Sequence, residues 1–139
     1  MTRVAFVCVR NAGRSQMATA FAERERDRRG IDVEILTGGT HPADAVHDVV
    51  VEALREEGIE VGDRTPRAVS TAELESCDVV ATMGCSTLEL DADAVEIRDW
   101  ALEDPGEQPI ERVREIRDEV EARVTALFDE LEQTAEASG

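Results

Sequence analysis

Arg14 follows Cys8 by six residues and is followed at once by Ser15, in the stretch Cys8-Val9-Arg10-Asn11-Ala12-Gly13-Arg14-Ser15. A thiol, a guanidinium and a hydroxyl at this spacing suit nucleophilic attack on a bound oxyanion. If the stretch turns from a strand into a helix, successive backbone N–H groups converge on a concavity and the helix dipole adds positive potential. Val9, Arg10, Asn11, Ala12 and Gly13 would line that cradle, and Arg14 would add a planar two-pronged grip. The same field favours the thiolate of Cys8, the form that acts as nucleophile. Ser15 has two uses open to it: donating its hydroxyl to that thiolate, or capping the helix. Asn11 and Gly13 tolerate the unusual backbone angles of a tight cradle. The pattern is neither a Walker A loop nor GxGxxG. A lone cysteine ending a strand is more simply a small buried hydrophobe; the arginine–serine pair at fixed spacing argues for chemistry instead.

The elements around this stretch have the order such a site needs. Arg3 to Val9 reads as a short apolar strand buried on both faces. A helix starts at Ser15, shows Met17, Phe21 and Ala22 on one face, and stops at Gly30. Asp32 to Leu36 alternates as a second strand, and "TGGTHPAD" is a loop. Val46, Val49, Val50, Ala53 and Leu54 fall at helical spacing up to Gly58. After the loop "GDRTPRAVS" come a short helix over Thr71 to Ser76, an apolar strand Val79 to Met83, and a fourth strand Ala94 to Arg98. Val113, Ile116, Val120, Val124, Leu127 and Leu131 mark the last helix, and "QTAEASG" is expected to fray. One domain over residues 1–131 with a frayed tail over 132–139 is the expected organisation. Alternating strands and helices predict an α/β fold, a parallel sheet covered on both sides. Ligands bind such sheets at the carboxyl ends of the strands. The turns after Cys8, after Met83 and after Arg98 all lie at that edge.

Composition narrows the partners. The chain has 139 residues and a formal charge of −17, with 32 acidic residues against 15 basic ones, all arginine. Such acidity excludes nucleic acid as a natural partner, because phosphate backbones need basic residues to displace their counterions. Acidic residues spread along the whole chain fit a salt-adapted protein, whose self-repulsion salt would screen. No apolar run is long enough to span a membrane, and no signal peptide is recognisable, so a cytoplasmic location is expected. Three cysteines without framework spacing fit a reducing compartment, and with no CxxC pair there is no metal site to expect.

The motifs "NAGRSQMA", "GTHPAD", "DVVATMGC", "DWALEDP" and "REIRDEVEARV" occur in the order found in the low-molecular-weight protein tyrosine phosphatase fold, and the chain resembles most closely the arsenate reductases that share it. The resemblance runs from Val4 to about Leu131. It implies a four-stranded parallel sheet with flanking helices, a three-layer αβα fold, with Cys8 as nucleophile, Arg14 as oxyanion clamp and Asp104 as general acid. Asp104 also makes sense by itself: a leaving oxygen needs a proton donor opposite the attacking sulfur, and Pro105 stiffens the loop that carries it. Asp99 and Glu103 read as solvated loop charges. No metal or organic cofactor is needed for this chemistry.

A reductase needs a second thiol to attack the Cys8–arsenic adduct and carry the oxidation away as a disulfide. Cys85, just past the strand Val79 to Met83, is placed for that role. Cys77 stands before the same strand, about 15 Å or more away at ~3.3 Å per residue, and reads as structural. Many thioredoxin-coupled members carry a third cysteine shortly after this position, whereas "CSTLELDADA" has none. Two routes stay open: a Cys8–Cys85 disulfide reduced by thioredoxin, or an adduct resolved by a low-molecular-weight thiol with a glutaredoxin-like partner. A phosphatase hydrolysing phosphate monoesters through a Cys8 thiophosphate is the alternative. Tyrosine-specific relatives usually place a tyrosine after the Asp-Pro, but this chain contains no tyrosine and has Gly106 there. A non-catalytic anion or redox sensor is a third reading, one that would not need Asp104. Trp100 reads as a packing anchor, His41 and His47 as structural or surface residues, and Arg10 as either a source of positive potential or a solvent-facing ion-pair partner.

Overall fold

A computed structural model describes residues 2–83, 95–100 and 102–138, with side chains followed to Gln133 in the last helix. Strand β1 (Thr2–Cys8) leads through the Cys8–Ser15 stretch into α1 (Arg14–Arg29), and β2 (Val33–Gly39) follows. After these come α2 (Asp48–Arg55), the one-turn α3 (Thr71–Glu75), β3 (Val79–Met83), β4 (Glu96–Asp99) and α4 (Ile110–Ser138).

The four strands form one parallel sheet in the order β2-β1-β3-β4. The two apolar runs, Val4–Cys8 and Val79–Met83, occupy its middle and are buried on both faces, as interior strands of a parallel sheet must be. The more polar β2 and β4 take the edges. Register places Cys8 opposite Gly39 on one side and Met83 on the other, so the thiol ends the sheet's inner pair at its carboxyl edge. The chain is an α/β fold, a four-stranded parallel sheet with helices packed against it.

Helix α4 supplies the largest stripe of core: Val113, Ile116, Val120, Val124, Leu127 and Phe128 are all buried, at the three- and four-residue steps of one helical face. It packs against α1 and α2. Its backbone remains helical to Ser138, so residues 132–138, expected to fray, continue the helix. Helix α1 departs from the simple amphipathic expectation. Every residue from Ser15 to Ala22 is buried, including the polar Ser15, Gln16 and Thr19. It ends as expected at Gly30, whose left-handed φ of 62° suits a residue without a β-carbon. Strand β2 runs from Val33 to Gly39, three residues past the Leu36 boundary expected from alternation. Among the described residues, no helix is long and apolar enough to cross a membrane.

Candidate active site

The turn between β1 and α1 is shaped by what its carbonyls do. Val9 O accepts from His41 N (2.8 Å), Arg10 O from Ala43 N (2.9 Å) and Ala12 O from His47 N (3.0 Å). Asn11 O accepts from Gln16 Nε2 (3.0 Å). These carbonyls are held outward by the segment after β2 and by α1. In a trans peptide the following N–H points the opposite way. The amides of Arg10, Asn11, Ala12 and Gly13 are therefore turned inward, away from these outer donors. Asn11 N–H identifies that inner side, since it donates to Cys8 Sγ at 3.2 Å. The turned-in amides form a concavity beside the thiol.

Cys8 is 2% exposed, and its sulfur lies 2.8 Å from Ser15 Oγ. Asn11 Nδ2, a donor only, lies 2.7 Å from the same Oγ, so the hydroxyl accepts from Asn11 and has its proton free to give to a Cys8 thiolate. Ser15 Oγ thus lies against the Cys8 sulfur rather than at the start of the helix. Gly13, not Ser15, stands at the helix N-cap, without a side-chain cap.

Asn11 holds the loop at its tightest point, with a left-handed φ of 53°, a conformation asparagine enters more readily than most residues. Its Nδ2 also donates to Thr37 Oγ1 (2.8 Å), and its Oδ1 accepts from Arg67 N (3.0 Å) and Gln16 Nε2 (3.2 Å). The end of β2 must pass close by. A β-carbon on Gly39 would stand 2.6 Å from Val9 O and 3.0 Å from Asn11 N, so only glycine fits there.

Arg14 begins α1, its side chain 11% exposed. One terminal nitrogen donates to Leu102 O at 3.1 Å, and the other lies 3.9 Å from Asp104 Oδ2. Asp104 is 60% exposed at its side chain and accepts Gly106 N–H on Oδ1 at 2.9 Å. The other candidate acids point elsewhere. Glu103 is paired with Arg112, whose hydrogen bond keeps its carboxyl below the ordinary range. Asp99 accepts from Thr82 Oγ1 at 3.4 Å. Trp100 is buried with its ring centroid 5.9 Å from that of Phe6, which makes it the packing anchor expected. Arg10 is exposed.

Cys77 is buried beyond the opposite end of β3, where burial pushes its thiol up. Counting along β3 from Met83, beside Cys8, sets it about 20 Å from the nucleophile at ~3.3 Å per residue. Cys85 lies outside the described residues.

Several residues at the site carry no signal in the sequence. Gln16, Thr37 and the Arg67 amide converge on Asn11 from three separate segments. His47, expected to be structural, stands beside the loop that carries Asp104: a β-carbon on Gly106 would lie 3.1 Å from its Nε2. The "NAGRSQMA" motif contains Gln16, but only the fold gives it a partner.

Comparison with known proteins agrees with this geometry. Residues 3–137 match the model of the low molecular weight phosphotyrosine protein phosphatase family. The chain is 70% identical over 132 residues to a Halobacterium salinarum protein named "Putative arsenate reductase", covering 94% of this chain and 93% of that one. It is 33% identical over 134 residues to the glutaredoxin arsenate reductase of Synechocystis, covering 94% and 99%. A solved structure of a thioredoxin-dependent arsenate reductase from Corynebacterium glutamicum superposes with a TM-score of 0.78 at 30% identity. That match covers 96% of this chain and 63% of the longer one.

Proposed function

Because this chain belongs to the low molecular weight phosphotyrosine protein phosphatase family, we propose that it applies the family's thiol chemistry to arsenate, as a thiol-dependent arsenate reductase. The observation that carries the reading is the inward-turned row of amides over the Cys8 sulfur, beside Arg14 and Asp104, in a chain 70% identical to the halobacterial relative.

Arsenate sits among the amides of Arg10 to Gly13, with the Arg14 guanidinium on its flank. The Cys8 thiolate attacks arsenic while the Ser15 hydroxyl releases it from its hydrogen bond. An As–O bond breaks, and Asp104 gives its proton to the departing oxygen, which leaves as water. A second thiolate, from Cys85 or an external thiol, then attacks the Cys8 sulfur. The S–As bond breaks with its electron pair going to arsenic, so arsenite leaves and a disulfide remains. Thioredoxin, glutaredoxin or a low-molecular-weight thiol would return that disulfide to thiols. No metal enters any of these steps.

A phosphate-ester hydrolase is the second reading, favoured by the family to which the chain belongs. It would share the first step and then need water in place of the second thiol. The absence of tyrosine from the chain argues against a wall for an aryl phosphate.

The deciding experiment incubates reduced protein with arsenate, maps disulfides by mass spectrometry, and follows p-nitrophenyl phosphate hydrolysis in parallel. A Cys8–Cys85 bond, or a Cys8 mixed disulfide with added thiol, formed only with arsenate supports reduction. Rapid ester hydrolysis without arsenate-dependent oxidation assigns the protein to the hydrolases. Asp104→Asn should slow turnover by about 10²- to 10⁴-fold, the usual contribution of a placed acid.

A further inference from the structure

We propose that Gln16 is a positioning residue for the reaction, acting on Cys8 through Asn11. This rests on the assignment of Cys8 as nucleophile. Gln16 is 1% exposed in the first turn of α1, a place where an apolar side chain would be the simpler occupant. Its Nε2 reaches both oxygens of one residue, Asn11 O at 3.0 Å and Asn11 Oδ1 at 3.2 Å. The orientation of the carboxamide is fixed by these partners. Asn11 Oδ1 already accepts the Arg67 N–H, so it is an oxygen, and both atoms facing Gln16 are acceptors. Gln16 Oε1 is left buried without a hydrogen-bond partner among the described residues. That is a cost methionine or leucine would not incur, and the compensation lies on Asn11.

What Asn11 does explains why that matters. Its main-chain N–H and its side-chain amide are the two groups that feed the sulfur, one directly and one through Ser15. Both depend on the left-handed backbone at Asn11. Gln16 holds the carbonyl on the far side of that residue and the oxygen of its side chain at once. Turning the carbonyl outward turns the next amide, that of Ala12, inward. Fixing Oδ1 directs Nδ2 toward Ser15. A buried carboxamide thereby fixes the side-chain route to the thiolate, through Asn11 Nδ2 and Ser15, and one wall of the cradle, without touching substrate.

The test is a double-mutant cycle on the full chain, with arsenate turnover in a dithiol reductant and p-nitrophenyl phosphate hydrolysis as readouts. Gln16→Met keeps the length of the side chain and removes its donors. It should lower kcat about tenfold with KM nearly unchanged. In an Asn11→Ala background the same change should cost less than about twofold, because the residue it works through is gone. A folded Gln16→Met variant at wild-type kcat, or losses that simply add, would overturn the proposal. Should Gln16→Met not fold, hydrogen exchange of the Gln16 side-chain amide in the wild-type protein decides: slow exchange supports the bonds to Asn11, and free exchange overturns them. Cys8→Ser is measured alongside. Turnover by that variant overturns the nucleophile assignment itself, whereas wild-type kcat in Gln16→Met with an inactive Cys8→Ser removes only Gln16.

Discussion

Gly13 lies so close under Pro105 that a β-carbon on it would stand 2.7 Å from the proline Cγ. The φ of Gly13 is −138°, outside the left-handed region, so glycine is needed there for space. The contact joins the turn after Cys8 to the loop that carries Asp104. Gly13→Ala should push Pro105 outward and carry the carboxyl with it. Misplacement of about 1 Å at a reacting centre costs on the order of a hundredfold, so kcat should fall by about that factor while thermal unfolding stays near wild type. An unchanged kcat in the Gly13→Ala variant would mean that the Asp104 loop is not held through this contact.

Removing the Ser15 hydroxyl tests the Asn11–Ser15–Cys8 relay. A hydrogen bond to a charged group contributes about 1.5–3 kcal/mol, which corresponds to roughly a ten- to hundredfold change in rate. Ser15→Ala should lose turnover within that range, and Cys8 should react more slowly with iodoacetamide at neutral pH. Equal alkylation rates, read by peptide mass spectrometry, would show that the hydroxyl does not serve the sulfur.

The junction of α2 and α4 should be sensitive to acid. Hydrogen bonds from Arg114 and Arg117 hold the Glu56 carboxyl at about 2, below its ordinary 4.5. A carboxyl depressed in the folded state stabilises fully above its unfolded value, and that contribution is lost as pH falls through the folded one. Wild-type protein should therefore melt above Glu56→Gln at pH 7, and the two melting curves should converge as pH falls from about 4.5 to about 2. A gap that persists at pH 2 would place the difference in packing instead.

With 32 acidic residues against 15 arginines, ion pairs leave a large excess of negative charge. Salt weakens the pairs and also screens the repulsion among the remaining carboxylates. Repulsion is the larger effect at this imbalance, so Tm should rise from low-salt buffer to multimolar KCl. A fall in Tm would show that the ion pairs of α4, such as Arg98 with Glu130, dominate.

How far the site could be read from sequence depended on the range of each contact. Strand β3 was legible residue for residue, because an apolar run bounded by turns has one good explanation in an α/β chain. The thiol, guanidinium and hydroxyl were legible because they lie within eight residues of one another. The hub at Asn11 was not. Its partners come from positions 5, 26 and 56 residues away, and hydrogen bonds of that range leave no periodicity to detect. Helix α1 was only half legible for the same reason: Gln16 and Thr19 look solvent-facing until the loop they face is in place. His47 resembled a surface residue because its neighbour Gly106 is so distant in the chain.

Cys8 ends a strand that is hydrogen-bonded on both flanks, so its backbone is anchored in the middle of the sheet. A sulfur mounted this way is a fixed electrode. It can offer its electrons to whatever is seated above it, but it cannot travel to meet a second thiol. Any group that reacts with it has to come to the carboxyl edge of the sheet, so the shape of that edge decides which partners the sulfur can meet.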